Sequence, residues 1–269
     1  MAITWKHFPA GENGFYRAPV LLTSTREAVL IDGGFTFADG RKLVDAIKTS
    51  GKQLTTIYIS QSDPDYYFAL APIRAVFPDA RVIAASATVN AIRGSVQKKI
   101  EVWGPKLKEN GPQRLSDIVI PEAVDSSMIT LEDERIEVVD AQGLTNRRYL
   151  WVPSLHAVFG GVLVFRDVHV WIADTPTVDA RKKWVDNLDT LAAHKPSIVV
   201  AGHLLESSAT DASAIAYTRE YLTTFDEELA RAKDSTELTA AMRERYPNAG
   251  MGVALDIGAK VAKGEMKWG

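Results

Sequence analysis

Short apolar runs alternate with amphipathic stretches in the first part of the chain. Residues 18–23 (APVLLT) and 28–32 (AVLID) are apolar and flank Ser24–Glu27, a pattern typical of a β-hairpin. Residues 37–50 carry apolar side chains at helical spacing and are followed by a glycine, a favoured helix C-cap. Residues 54–59 (LTTIYI) then predict a short buried strand.

The same alternation continues through the next segment. Residues 67–76 predict a helix closed by a proline, and residues 81–84 (RVIA) predict a strand. Residues 86–100 predict a second helix, with Ser86 as its N-cap. Residues 103–121 contain three prolines and two glycines, so we expect a loop there, placed over a site. Strands that alternate with helices indicate an α/β layered fold.

The second half of the chain is rich in short strands. Turn residues separate five apolar runs at 127–131, 135–140, 147–153, 156–161 and 169–174. Further elements are predicted as a helix at 178–191, a strand at 197–201, and helices at 211–232 and 236–246. No linker divides the chain. We therefore expect one α/β domain over residues 1–269, with two β-sheets, outer helices and a C-terminal helical extension over about 211–269.

Composition limits the chemistry that the chain can support. Of the 269 residues, 46% are hydrophobic and 24% are charged, which is ordinary for a globular protein. The chain has no cysteine, which excludes disulfides, thiolate zinc sites and a cysteine nucleophile. A net charge of −3 and the absence of long basic runs argue against nucleic acid and membrane surfaces as partners. We expect a cytoplasmic protein that binds a small molecule.

The richest candidate for a functional site is the loop ISQSDPDYYFAL at residues 59–70. It follows a predicted strand and places Gln61, Asp63, Asp65 and Tyr66 close together in sequence. Carboxylates at this spacing are suitable metal ligands. They are also favoured beside the proline at the start of a helix, where they cap backbone N–H groups. The loop alone leaves both interpretations open.

The order of elements and the punctuation of this loop resemble the metallo-β-lactamase superfamily, over roughly residues 13–206. The resemblance implies a four-layer αβ/βα sandwich. It aligns QSDPDY with that family's loop His-x-His-x-Asp-His, and Asp32–Gly33–Gly34 with its acidic-glycine turn. Gly143–Leu144 and Phe159–Val162 match two later ligand turns, and Gly202–His203 matches the last one.

The resemblance implies seven metal-ligand positions, and this sequence keeps the usual residue at two of them. Asp65 and His203 are retained, and Asp63 replaces a histidine with another competent ligand. Gln61 and Tyr66 are poor ligands, and the remaining two positions hold Leu144 and Val162, which cannot bind metal. The usual pair of zinc ions is therefore not expected. Two possibilities remain open. Either one divalent ion (zinc, iron or manganese) is held by Asp63, Asp65, His203 and Gln61, or the protein binds no metal.

Two functions of different classes follow from the resemblance. In the first, the chain hydrolyses an ester, lactone, thioester or amide. Asp65 then orients or deprotonates water, His203 assists, and Tyr66 donates a proton. Tyr67 and Arg148 are candidate substrate-binding residues. In the second, the protein binds a small molecule without catalysis.

Other polar residues have more ordinary interpretations. Arg147 and Arg148 either bind an anionic group of the substrate or begin a solvated strand. Asp174 and Thr177 are expected to cap the helix that starts near residue 178. The C-terminal helices either cover the cleft or form a homodimer contact, and the sequence does not decide between them.

Overall fold

The amino-terminal half of the chain builds a six-stranded mixed sheet. The computed structural model of the protein describes residues 3–268. The strands follow one another across the sheet in chain order. They are β1 Thr4–His7, β2 Val20–Thr23, β3 Glu27–Ile31, β4 Gln53–Tyr58, β5 Arg81–Ala84 and β6 Glu122–Ala123. The first three strands pair antiparallel, and β3 to β6 pair parallel.

Helices make the crossovers that these parallel strands require. They are α1 Phe37–Ser50 between β3 and β4, α2 Pro64–Tyr67 and α3 Leu70–Val76 between β4 and β5, and α4 Ser86–Leu107 between β5 and β6. Parallel strands all end at the same edge of their sheet, so the loops after β3 and β4 lie side by side. The loop of residues 59–70 is one of these two.

The second sheet is mainly antiparallel and has the strand order β12-β10-β9-β8-β7. Its strands are β7 Met128–Leu131, β8 Glu134–Asp140, β9 Arg148–Val152, β10 Ala157–Phe159 and β12 Ile198–Val199. A separate parallel pair joins β11 Phe165–Arg166 to β13 His203–Leu204. The ring of Trp5 on β1 contacts that of Phe159 on β10, with centroids 5.8 Å apart, and so links the two large sheets.

The remaining helices are α5 Val178–Ala193, α6 Ser213–Arg231, α7 Ser235–Arg245 and α8 Gly252–Ala262. The side chain of Trp184 on α5 is fully buried in the core. Two main sheets with outer helices confirm the predicted α/β class. Within residues 3–268, every helix is too short or too polar to cross a lipid bilayer.

Several predicted element boundaries are wrong, each for a local reason. The predicted helix at 67–76 is two helices, because the Tyr66 carbonyl accepts the N–H of Gly33 at 2.7 Å and the chain bends at Ala69. Helix α4 continues to Leu107 instead of ending at residue 100. Its buried positions keep helical spacing up to Gly104. Pro105 lacks the backbone N–H for a helical hydrogen bond, and the helix ends two residues later.

The carboxyl-terminal half also departs from prediction. Residues 169–174 form no strand, because only Val168 makes a single bridge, to Gly250. Helix α8 was not predicted, since its composition is apolar around most of its surface. Ser86 is not the N-cap of α4. That position is Ala85, and a carboxylate oxygen of Asp125 accepts the N–H of Ser86 at 2.8 Å.

A buried ion pair fixes the loop between β1 and β2 against both sheets. The guanidinium of Arg17 donates to the carboxylate of Asp32 and to the carbonyl of Gly202, and both charged side chains are fully buried. Asp32 also accepts from the backbone N–H of Ser60 at 2.8 Å and from its hydroxyl. The Ser60 hydroxyl in turn accepts the N–H of Gly161 at 2.8 Å. One network therefore connects the ends of β3, β4 and β10.

Two glycines let the backbone segments of this network approach closely. Gly161 has a φ of +72°, and a Cβ there would clash with the carbonyl oxygen of Arg148. A Cβ on Gly202 would clash with the carbonyl oxygen of Gly161. Both glycines lie in turns where the resemblance placed metal ligands, and here they hold the two turns in contact.

We expect Arg17→Met to lower the free energy of unfolding by about 3–5 kcal/mol, because it leaves Asp32 buried without a counter-charge. Arg26→Met is the matched control. Arg26 is 82% exposed and lies 3.7 Å from Glu132, so its loss should cost less than about 1 kcal/mol. Urea denaturation of both variants measures the difference. Equal losses would contradict a structural role for the buried pair.

Candidate active site

Asp65 and His203 meet at the edge where both sheets end. Asp65 lies in α2, just after β4, and His203 begins β13. The Oδ2 atom of Asp65 lies 3.6 Å from the Nε2 atom of His203, and their side chains are 10% and 4% exposed. The structure therefore brings together the two positions at which the sequence keeps the residue implied by the resemblance.

The imidazole of His203 is held in one tautomer. Its Nδ1 atom lies 2.7 Å from the carbonyl oxygen of Phe15. A carbonyl oxygen can only accept, so Nδ1 carries the proton and Nε2 presents a lone pair. The ring of Phe165 stacks on the imidazole at 5.1 Å with an interplanar angle of 10°. Burial, with a smaller contribution from the charge of Arg17, lowers the pKa of His203 to about 3, so the ring is neutral.

The pKa of the Asp65 carboxyl is shifted upward, whereas that of His203 is shifted downward. Burial raises its pKa to about 7, and the charge of Asp63 adds to this effect while that of Arg17 opposes it. Among the described residues, its Oδ2 atom has no hydrogen-bond partner. A carboxyl that changes charge near neutral pH beside an imidazole lone pair is suited to proton transfer.

Tyr66 adds a hydroxyl donor to this pair. Its hydroxyl lies 3.1 Å from the carbonyl oxygen of Gly161, to which it donates, and 3.4 Å from Nε2 of His203. Its ring packs against the guanidinium of Arg17 at 3.9 Å. Burial raises the pKa of Tyr66 well above its ordinary value, so the hydroxyl keeps its proton. The site thus contains Asp65 as an acid or base, Nε2 of His203 as a hydrogen-bond acceptor and the hydroxyl of Tyr66 as a donor.

The two other candidate metal ligands have internal partners. The carboxylate of Asp63 pairs with the ammonium of Lys99 on α4 at 3.2 Å. Asp63 occupies the N-cap position of α2 but accepts no bond from the helix, so capping does not explain its side chain. The amide oxygen of Gln61 accepts from the backbone N–H of Ser62 at 2.6 Å and from the side chain of Asn146 at 3.0 Å.

The predicted substrate-binding residues are buried. Tyr67 is fully buried in the core, and its hydroxyl has no partner among the described residues. Arg148 donates from Nε to Asp140 at 3.0 Å, and from Nη1 to Asn146 at 2.9 Å and to the hydroxyl of Thr88. These contacts explain Arg148 as a structural residue, and a role in substrate binding stays a prediction.

The sequence did not predict the roles of two arginines near the site, Arg17 and Arg147. Arg17 is a single charge beside the apolar run of residues 18–23, and that isolation was the signal for a buried pair. The sequence analysis considered Arg147 only together with Arg148.

Thr177 caps α5 as predicted, by accepting the N–H of Ala180 at 3.2 Å. Asp174 does not cap α5, because it accepts the indole N–H of Trp268 at 2.8 Å.

Comparison with known proteins tests the fold. No protein-family model matches this sequence, and no curated protein sequence matches it. Solved structures do match. A metallo-β-lactamase family protein from Thermus thermophilus superposes with a TM-score of 0.66 at 15% identity, covering 97% of this chain and 91% of that one. This chain has the metallo-β-lactamase fold.

Two further structures support the fold at similar identity. A metallo-β-lactamase from Pontibacter korlensis matches with a TM-score of 0.53 at 19% identity, covering 77% of this chain and 87% of that one. The metallo-β-lactamase DIM-1, exposed to ceftazidime, gives 0.51 at 17% identity, covering 82% and 92%.

The residues at the metal position of the metallo-β-lactamase fold do not fit a metal ion here. Leu144 and Val162 are hydrocarbon, and one carboxylate oxygen of Asp63 and the amide oxygen of Gln61 are engaged as described. Within residues 3–268, no group of three or more histidine, aspartate or glutamate side chains has metal-binding geometry. Asp65 and His203 are the two remaining candidate ligands, whereas a catalytic zinc needs about three protein ligands.

The raised pKa of Asp65 predicts a pH-dependent gain of stability in Asp65→Asn. A carboxyl whose folded-state pKa is raised contributes stability at low pH, and loses it as pH rises from about 4 through about 7. At about pH 8 the variant should therefore be more stable than the parent, by on the order of 2–4 kcal/mol. At about pH 4 the two should be alike.

Denaturant unfolding at both pH values measures this difference. Asp63→Asn is the control, because Asp63 is 38% exposed and already paired, and should show no such gain at high pH. An Asp65→Asn variant that is less stable than the parent at about pH 8 would show that the ionised, buried carboxylate does not destabilise the folded protein.

Proposed function

We propose that this protein is a small-molecule hydrolase that acts by metal-independent acid–base chemistry at Asp65, His203 and Tyr66. The observation that carries the proposal is the buried pair of Asp65 and His203, with Oδ2 and Nε2 3.6 Å apart. Oδ2 has no hydrogen-bond partner within the described part of the chain. An ester or lactone fits this chemistry best, and thioesters and amides are the neighbouring classes. The fold supports the proposal only by analogy, since one fold serves many functions.

In the proposed reaction, the carboxylate of Asp65 is the general base. It takes a proton from water as the water oxygen forms a bond to the carbonyl carbon of the substrate. The C–O bond to the leaving group then breaks, and Asp65 returns the proton to the departing alkoxide oxygen. This cycle consumes one water and restores the site.

His203 and Tyr66 assist this cycle without changing charge. Nε2 of His203 accepts a hydrogen bond from the protonated carboxyl of Asp65, because Phe15 fixes the proton on Nδ1. The hydroxyl of Tyr66, which rests on the carbonyl of Gly161, donates to the developing oxyanion. Both groups keep their protonation states through the cycle, as their perturbed pKa values favour.

A non-catalytic small-molecule-binding protein is the second candidate. Two observations favour it. Leu144 and Val162 make the former metal position apolar. In addition, an open cavity of about 430 Å³ is lined by Phe15, whose carbonyl oxygen contacts His203, and by Phe35, Trp103, Lys106 and Asn110 among others. Its volume and its mixed apolar and polar lining suit a small ligand.

Turnover of an ester and lactone panel by chelator-treated protein separates the two candidates. If Asp65 is the base, Asp65→Asn should lower kcat/KM by about 10²–10⁴-fold. Activity of the parent should rise with pH through about 7, because the base must be ionised. Asp63→Asn, outside the pair, should retain most activity. Unchanged turnover in Asp65→Asn would reject the proposed base, and a parent inactive on every substrate would favour the binding protein.

A further inference from the structure

Arginine is the one cationic residue type that this protein buries repeatedly. Four arginines are less than a tenth exposed, namely Arg17, Arg147, Arg148 and Arg181. A buried charge is costly unless a counter-charge accompanies it. Three of the four have one. Their partners are Asp32 for Arg17, Asp140 at 3.0 Å for Arg148, and Asp226 at 2.6 Å for Arg181.

Arg147 is the exception. It is 3% exposed, and no carboxylate within residues 3–268 lies at ion-pair distance from it. Its Nη1 atom reaches the carbonyl oxygen of Val162 at a long 3.4 Å, and its Nη2 atom has no partner among the residues that the structure describes. The guanidinium packs 3.9 Å from the ring centre of Trp184, which holds it in place. Burial lowers the pKa of Arg147, consistent with a missing counter-charge.

The unpaired guanidinium lies beside the proposed active site. Val162, whose carbonyl it contacts, follows Gly161, whose carbonyl accepts the hydroxyl of Tyr66. The charges of Asp174 and Asp63 and the hydroxyl of Tyr66 also act electrostatically on Arg147. Val162 is also one of the seven positions where the resemblance implied a metal ligand.

We propose that Arg147 is an anion-binding residue of this site and that the ligand carries a carboxylate group. The missing counter-charge of Arg147 is then supplied by the ligand. As a statement about the substrate this rests on the proposed function, but the binding itself does not require turnover. A planar carboxylate matches the fork of Nη1 and Nη2, once the long contact to Val162 is exchanged.

A carboxylate fits the surrounding charges better than a phosphate does. One carboxylate neutralises one guanidinium. A phosphate brings up to about two negative charges at neutral pH. The second charge would add repulsion from Asp174 and Asp63, whose charges act on Arg147. The site should therefore discriminate against the dianion.

Asp174 does not supply the missing counter-charge of Arg147. Asp174 influences Arg147, but one of its carboxylate oxygens accepts the indole N–H of Trp268 at 2.8 Å, and it forms no ion pair with Arg147. The ring of Trp268 packs against that of Trp171 at 5.1 Å, which stabilises this arrangement. An incoming anion therefore has no internal carboxylate to displace.

Thermal unfolding in sodium acetate, sodium phosphate and sodium chloride at equal ionic strength tests the proposal. Acetate should raise the melting temperature of the parent by roughly 2 °C or more over chloride, because it binds the folded state. Phosphate should raise it less. Arg147→Met should lose the acetate effect entirely. Asp65→Asn should keep it, so a failed hydrolase assay and a failed anion site can be told apart.

Arg181→Met is the matched buried control. Because Arg181 is paired with Asp226, its loss should lower the melting temperature in chloride. Arg147→Met removes an uncompensated charge and should leave the melting temperature in chloride unchanged or higher. A purely packing role for Arg147 would instead lower it.

Three results would overturn the proposal. The parent would fail to respond to either anion, Arg147→Met would respond to acetate as strongly as the parent, or phosphate would exceed acetate. The last result would retain an anion site but reject the carboxylate.

Discussion

The buried pair of Arg17 and Asp32 is the interaction on which the rest of the structure depends. It joins the loop after β1 to the ends of β3 and β4 through Ser60, and to the turn before β13 through Gly202. Because a buried charge without its partner is costly, this network favours the observed arrangement of the two sheets. That arrangement positions Tyr66 and His203. Tyr66 rests on the guanidinium of Arg17, and His203 follows Gly202 directly.

Compensation of charge also explains how the site differs from the one that its fold implies. Metal ions bring positive charge and fix carboxylates and imidazoles around them. Here positive charge comes from side chains, with Arg17 below Tyr66 and Lys99 on Asp63. The carboxyl of Asp65 has no such partner and is favoured as the neutral acid until about pH 7. The proposed function therefore assigns proton transfer between side chains to a position where the fold implies a metal.

The sequence predicted the architecture well because periodicity and turn residues are local signals. Strands β2 to β5, helix α1 and the pairing of Asp65 with His203 at one edge all followed from such signals or from the resemblance. The errors have long-range causes. The helix predicted at 67–76 is interrupted because the carbonyl of Tyr66 accepts a hydrogen bond from Gly33, some thirty residues earlier in the chain. Asp63 is taken by Lys99 from α4, and no local pattern encodes that contact. Burial of Arg147 against Trp184 likewise depends on tertiary packing alone.

The metal content of purified, untagged protein decides most directly whether side-chain charges have replaced the metal. Elemental analysis for zinc, iron and manganese should find far less than one ion per chain, and a chelator should leave the melting temperature unchanged. This follows because two candidate ligands remain, Asp65 and His203, and a catalytic zinc needs about three. About one ion per chain, lost in both Asp65→Ala and His203→Ala, would contradict this and restore a mononuclear metal site.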